Sequence, residues 1–218
     1  MARESFSAKK QRAARVVAVF GRIYPRVWCT LEYQTPFQLL ISTILSAQCT
    51  DARVNLVTPA LFKKYPTPQA MAKAPMSSLE SLIRSTGFYH SKAKAIKETS
   101  RLLVQNFGGK VPSEMASLLT LRGVARKTAN IILFHCFGQN AGIAVDTHCM
   151  RVSYRLGLTS SRDKQNLIEK ELMLLIPQNT WGMYTNWMVT HGRKLCMAKN
   201  ADCAGCPLNK LCPGAFKV

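Results

Sequence analysis

Acidic residues are scarce in this chain of 218 residues. Eleven Asp and Glu face thirty Lys and Arg, a formal charge of +19. Such self-repulsion is hard to accommodate unless a polyanion relieves it, which points to nucleic acid as partner. The basic residues are dispersed rather than packed beside an apolar helix face, which argues against a membrane surface. No long hydrophobic run is present either. The longest uncharged stretch, 128–145, is interrupted by Asn130, His135, Gln139 and Asn140, so a membrane span is excluded. The basic start MARESFSAKKQRAAR is followed only by VVAVF, too short for the apolar core of a secretory signal. No sustained alternation of apolar and polar residues bounded by hairpin turns is found, which argues against a sheet. There is no internal repeat and no low-complexity segment.

What is present is helical punctuation and cysteine. Hydrophobic residues make up 47% of the chain, ample for one large core or two small ones. Thr67-Pro68 reads as an N-cap and first helical residue. A helix through Leu79, Leu82 and Ile83 is expected to stop at Gly87, and Ser91 to open an amphipathic run ending at Gly108-Gly109. Pro112-Ser113-Glu114 reads as the start of a short helix. Arg126 to Phe137 should stop at Gly138, and Asp146 to Leu156 at Gly157. Ser161 or Asp163 begins a helix that ends before Pro177, and a last one runs near Trp181 to Lys194. The expected class is all-α.

Eight cysteines without an export signal suit a reducing compartment, here expected to be the cytoplasm. Four of them, Cys196, Cys203, Cys206 and Cys212, fall within seventeen residues and close the chain. So short a segment cannot hold a core of its own, and convergent thiolates on a metal centre would fix it. The spacing alone admits structural zinc, an iron–sulfur cluster or two disulfides. Cys29, Cys49, Cys136 and Cys149 read as buried or spectator thiols.

In the middle, Leu121-Arg122-Gly123-Val124-Ala125-Arg126-Lys127-Thr128 joins two helices through a short glycine turn. Unpaired N–H groups at the start of the second helix can grip a phosphodiester, or the segment is an ordinary helix–helix turn. Nineteen residues after Lys127 stands Asp146, at the probable start of another helix, where an N-cap is the simplest role.

Together these features resemble the endonuclease III family of base-excision DNA glycosylases, within the helix–hairpin–helix superfamily. The likeness runs from about Phe37 to Cys212. It includes Leu45-Ser46-Ala47-Gln48-Cys49-Thr50-Asp51, Gly87-Phe88-Tyr89-His90-Ser91-Lys92-Ala93, the hairpin with Arg126-Lys127-Thr128-Ala129-Asn130, Val145-Asp146-Thr147-His148 and the cysteine spacing. The resemblance implies a helical barrel over 29–140 with the hairpin, and a second domain from 1–28 and 141–218 that holds a [4Fe–4S] cluster on the four cysteines. It implies an active site in the cleft between them and a monomer acting on duplex DNA that carries a damaged base or an abasic site. Lys127 is then the nucleophile and Asp146 its partner carboxylate, in a glycosylase and abasic-site lyase for oxidised pyrimidines. A helix N-terminus, the neighbouring Arg126 and desolvation under DNA would favour the neutral amine that the attack needs. Gln48 would enter the space left by the extruded base and Phe88 would wedge from the opposite strand; without the family, Phe88 reads equally as a buried loop residue. Asp51 falls where the base pocket is lined or caps a helix. His148 reads as structural. Leu121, Arg122, Gly123, Val124, Ala125, Arg126 and Thr128 would hold the backbone, joined by Arg193, Lys194 and Lys199.

Three departures stand out. Arg122 replaces the usual hairpin proline, Ala125 its second glycine, and Leu119 an acid carried by many relatives. The loop from Gln139 to Gly142 is also slightly longer than in some members. The departures keep two alternatives open: the same fold with another base preference, or a DNA damage-binding protein with a weak site. A plain zinc-binding DNA module is a third.

Overall fold

The computed structural model of the chain describes residues 4–217. Eleven α-helices and no strand are found among them: α1 Phe6–Ile23, α2 Pro36–Leu45, α3 Asp51–Lys64, α4 Pro68–Lys73, α5 Met76–Ile83, α6 Tyr89–Phe107, α7 Met115–Leu119, α8 Arg126–Phe137, α9 Thr147–Arg155, α10 Gln165–Leu175 and α11 Trp181–Lys194. None of the described helices is long and apolar enough to cross a membrane. The chain separates into two compact units, a continuous one over Cys29–Gln139 and a split one made of Met1–Trp28 with Asn140–Val218.

In the continuous unit, side-chain caps start the helices. Thr35, Thr50 and Thr67 each accept from the backbone N–H three residues on, and Pro36 and Pro68 sit in the first turns of α2 and α4. α2 is buried along nearly its whole length, Leu39 to Leu45 included, and forms the centre of this unit. α6 packs against α4 and α5, while α8 packs against α2 and α7.

The split unit has its own core. Ala13, Val16 and Phe20 of α1 meet Val152 of α9 and Leu156 at its end, Ile168 and Leu172 of α10, and Tyr184, Trp187 and Met188 of α11. Arg12, almost fully buried on the same face of α1, donates to the carbonyls of Leu156 and Leu211 at 2.6 and 3.2 Å, and its guanidinium is held by Glu4. One α1 side chain thus satisfies carbonyls at the end of α9 and beside Cys212.

The helix starts differ from the sequence expectation at four places. α6 begins at Tyr89, two residues before Ser91, and Ser91 Oγ instead donates to the Phe88 carbonyl at 2.9 Å. α7 begins at Met115, after Pro112-Ser113-Glu114 has already turned, and ends at Leu119. α10 begins at Gln165, because Ser161 Oγ accepts from Lys164 N at 3.1 Å in a turn before the helix. Thr50, not Asp51, caps α3; Asp51 accepts from Thr30 Oγ1 at 2.5 Å.

Candidate functional site

The hairpin lies in the continuous unit, between α7 and α8. Leu121 N donates to Leu118 O and Val124 N to Leu121 O, closing the turn, and both side chains are buried. Gly123 sits at φ +79° with Ala95 and Ile44 3.4 Å from where a Cβ would stand. Only glycine adopts that backbone without strain. Thr99 Oγ1 of α6 donates to Arg122 O at 2.6 Å and fixes the turn on the unit. Ala125 lies at φ −96°, ψ 173°, ordinary extended backbone, so alanine there carries no strain. No side chain caps α8, which leaves the N–H groups of its first turn open beside the exposed Arg122, Gly123 and Arg126. Thr128 is half-buried. Lys127, the second residue of α8, is exposed and has no hydrogen bond or ion pair among the described residues. An amine so placed is available to an electrophile, next to an electropositive helix end.

Two more predicted residues in this unit occupy a special backbone. Gln48 (φ +51°) and Phe88 (φ +48°) are non-glycine residues in the left-handed region, and both are exposed. Phe88 is 65% exposed, which settles against the buried-loop alternative. A left-handed phenylalanine at a helix start, facing solvent, is costly in the isolated protein, and such strain gathers at functional positions. Lys92 supports this loop. It is buried, its Nζ donates to Thr86 O at 2.7 Å, and burial lowers its pKa while Cys49, in the loop of Gln48, opposes that. Lys92 therefore pins the carbonyl of Thr86, two residues before Phe88, a role the one-dimensional motif conceals.

In the split unit, Asp146 is the N-cap of α9. Its Oδ1 accepts from Cys149 N at 2.7 Å, and the carboxylate has no other hydrogen bond among the described residues. His148 accepts at Nδ1 from Arg151 at 3.1 Å, which requires the neutral ring. Burial is the main cause of its lowered pKa; Asp146 opposes it, and Arg151 and Arg193 add to it. Arg193 and Lys199 are exposed, and Lys194 lies over the Tyr24 ring at 6.0 Å.

Cys196, Cys203, Cys206 and Cys212 line one small cavity of about 30 Å³ in this unit. Arg155 donates to Cys196 Sγ at 3.4 Å and to the carbonyls of Met197 (2.6 Å) and Ala198 (3.1 Å). The Cys212 thiol donates to Arg155 O at 3.2 Å. Gly214 approaches the same carbonyl so closely that a Cβ would stand 2.6 Å from it. Burial raises the Cys206 and Cys212 thiols, and the charges of the other cysteines push them further. Four thiols set this close repel as thiolates unless a cationic centre joins them, so the donor set fits a metal centre. Among the described residues no three His, Cys, Asp or Glu side chains converge on a single-ion position.

A glycine turn feeding an uncapped helix that bears a bare lysine, among described residues that are all helix and loop, is a helix–hairpin–helix arrangement. The corresponding family model, "HhH-GPD superfamily base excision DNA repair protein", matches residues 41–178. The chain is 51% identical to endonuclease III of Synechocystis sp. over 96% of its length and 95% of the relative, and 42% identical to that of Bacillus subtilis over 88% and 87%. Among solved structures, a non-covalent endonuclease III–DNA complex superposes with a TM-score of 0.90 at 42% identity, covering 95% of this chain and 97% of the other. A trapped covalent endonuclease III–DNA intermediate superposes equally well at 41% identity. The chain belongs to the endonuclease III family.

Proposed function

We propose that this protein is a bifunctional base-excision DNA glycosylase and abasic-site lyase that removes oxidised pyrimidines from duplex DNA. The observation that carries the reading is Lys127: exposed, unpartnered, and two residues into an uncapped helix behind a fixed glycine turn. In this reading the open N–H groups of α8, with Arg122 and Arg126, hold a phosphodiester without reading sequence. Gln48 and Phe88 fill the gap that extrusion of the damaged base leaves in the stack.

Lys127, as the neutral amine, attacks C1′ while the bond from C1′ to the base breaks and the base leaves with the electron pair. Asp146 stabilises the positive charge that develops at the sugar. Opening of the ring at O4′ gives a Schiff base between C1′ and Nζ, which acidifies the C2′ proton. Loss of that proton expels the 3′ phosphate by β-elimination, and water then releases the unsaturated aldehyde and restores Lys127. Among side chains, only lysine can supply this imine. The cap bond to Cys149 N engages one oxygen of Asp146, and the other has no hydrogen bond among the described residues, which supports this role.

Cys196, Cys203, Cys206 and Cys212 would hold a [4Fe–4S] cluster, which when bound clamps the chain end and shapes the loop at 197–202. Arg155 fastens that loop at Met197 and Ala198, so Lys199 and Arg193 are presented to phosphates. The protein works as a monomer in the cytoplasm, on the nucleoid. On a duplex with one oxidised pyrimidine, the wild-type protein should release the base and nick the strand. Lys127→Gln should lose on the order of 10³-fold or more in nicking at saturating protein. Equal nicking by both proteins would overturn the reading.

A further inference from the structure

A second cavity of the split unit runs along one face of α9 and shares Arg155 and Gly214 with the cysteine cavity. It encloses about 850 Å³ and is lined by Thr147, Met150, Arg151, Tyr154 and Arg155, the i, i+3, i+4, i+7, i+8 stripe of that helix. Its far wall comes from Arg162, in the loop after α9, and Lys217, near the chain end. Four cations line the cavity and no carboxylate does. Two acids stand close in sequence to the lining: Asp163, which follows Arg162 and accepts from Ser161 Oγ at 3.4 Å, and Glu171, which is held by Ser160 N at 3.0 Å and by Ser160 Oγ. Arg151 and Arg155 spend their guanidinium bonds elsewhere, Arg151 on the carbonyls of Gly192 and Cys196 and on His148 Nδ1, Arg155 on the carbonyls of Met197 and Ala198. Arg162 and Lys217 do not: both are exposed and neither has an ion pair among the described residues. The Arg162 guanidinium lies 4.5 Å from the Tyr154 ring centroid, a stack that orders the fork before any ligand arrives.

From this placement we infer that the α9 groove is a second phosphate-binding track, which takes the DNA backbone flanking the lesion. The inference rests on the repair reading above and extends it, since Thr147 at the mouth directly follows Asp146. Along α9 the chain rises about 12 Å from Thr147 to Arg155. A duplex presents one phosphate per strand every 3.4 Å or so along its axis, so several pass over such a length. Thr147 Oγ1 and the Tyr154 hydroxyl can each donate to one. Arg162 can take a phosphate bidentately while stacked, and Lys217 closes the far end as a point charge. These contacts carry no base information, so they add affinity equally to every sequence.

The test is the salt dependence of binding to a duplex with one tetrahydrofuran abasic analogue, read by fluorescence anisotropy from 50 to 200 mM salt. The double variant Arg162→Gln, Lys217→Gln should lower the magnitude of the log–log slope by about 1.8, the value for two lost phosphate contacts. The control Lys63→Gln, Lys73→Gln removes the same charge from exposed ends of α3 and α4 and should leave the slope unchanged. The hydroxyl-radical footprint of the groove variant should also shorten at one edge only. An unchanged slope, or an equal fall in the control, overturns the groove. Nicking of abasic DNA by the wild-type protein is measured alongside, and its absence would instead count against the lyase reading on which the groove depends.

Discussion

At the scale of single residues, the hairpin shows which departures from a family pattern matter. Gly123 and Ala125 stand two positions apart, and only the first has a left-handed backbone. Gly123→Ala forces φ +79° on alanine and crowds Ile44 and Ala95, at a cost of about 1–2 kcal/mol. Ala125→Gly adds only freedom to the unfolded chain and should cost about 0.4–1 kcal/mol. Urea denaturation of the two variants checks the order; equal losses would mean the turn is not held as described. Ala125 in place of a second glycine therefore gives no ground for a crippled site. Arg122 costs the turn little, because its carbonyl is pinned by Thr99 while its side chain points to solvent. Leu119, 45% exposed, is an apolar side chain where solvent would accept an acid, and nothing in the structure explains it.

At the scale of elements, α9 combines two roles that can be separated. Asp146 caps the helix and, in the proposed reaction, supports the sugar cation. Asparagine caps about as well as aspartate but carries no charge. Asp146→Asn should therefore leave thermal stability within about 0.5 kcal/mol while excision falls by on the order of 10²-fold or more; Asp146→Ala should lose about 1 kcal/mol as well. Circular-dichroism melts beside single-turnover excision measure both. Undiminished excision by Asp146→Asn would remove the carboxylate from the mechanism. The helices that carry the candidate site were the most legible in sequence. Gly138 and the Arg126–Phe137 run give α8 its bounds, and Trp181 and Lys194 bound α11 as read. Others resist such reading for physical reasons. α2 is buried on nearly every side, so it has no polar face to set a period, and α3 runs through Pro59. The start of α6 is set by a left-handed Phe88, a conformation that no propensity favours.

At the scale of the whole molecule, the +19 charge and the family's DNA complexes point the same way. If about six phosphates are neutralised, affinity for duplex DNA should fall roughly 10³-fold between 50 and 200 mM salt. A flat salt profile would mean that the excess charge serves something else. The motifs locate Lys127, Asp146, Gln48, Phe88 and the four cysteines along the chain, but not what supports them. Arg12, Lys92 and Arg155 look like ordinary surface cations in one dimension. Their roles appear only when folding brings carbonyls from distant segments within reach, Arg12 to Leu211 being the extreme case. The α9 groove was equally hidden, since its walls come from 147–162 and 213–217.

The most direct measurement is borohydride reduction of the protein on a duplex with one abasic site, followed by digestion and mass mapping of the adduct. A single covalent adduct should form, fall on the peptide containing Lys127, and vanish in Lys127→Ala. Tight binding without any adduct, or an adduct carried by another amine, would contradict the assignment of Lys127 as the nucleophile.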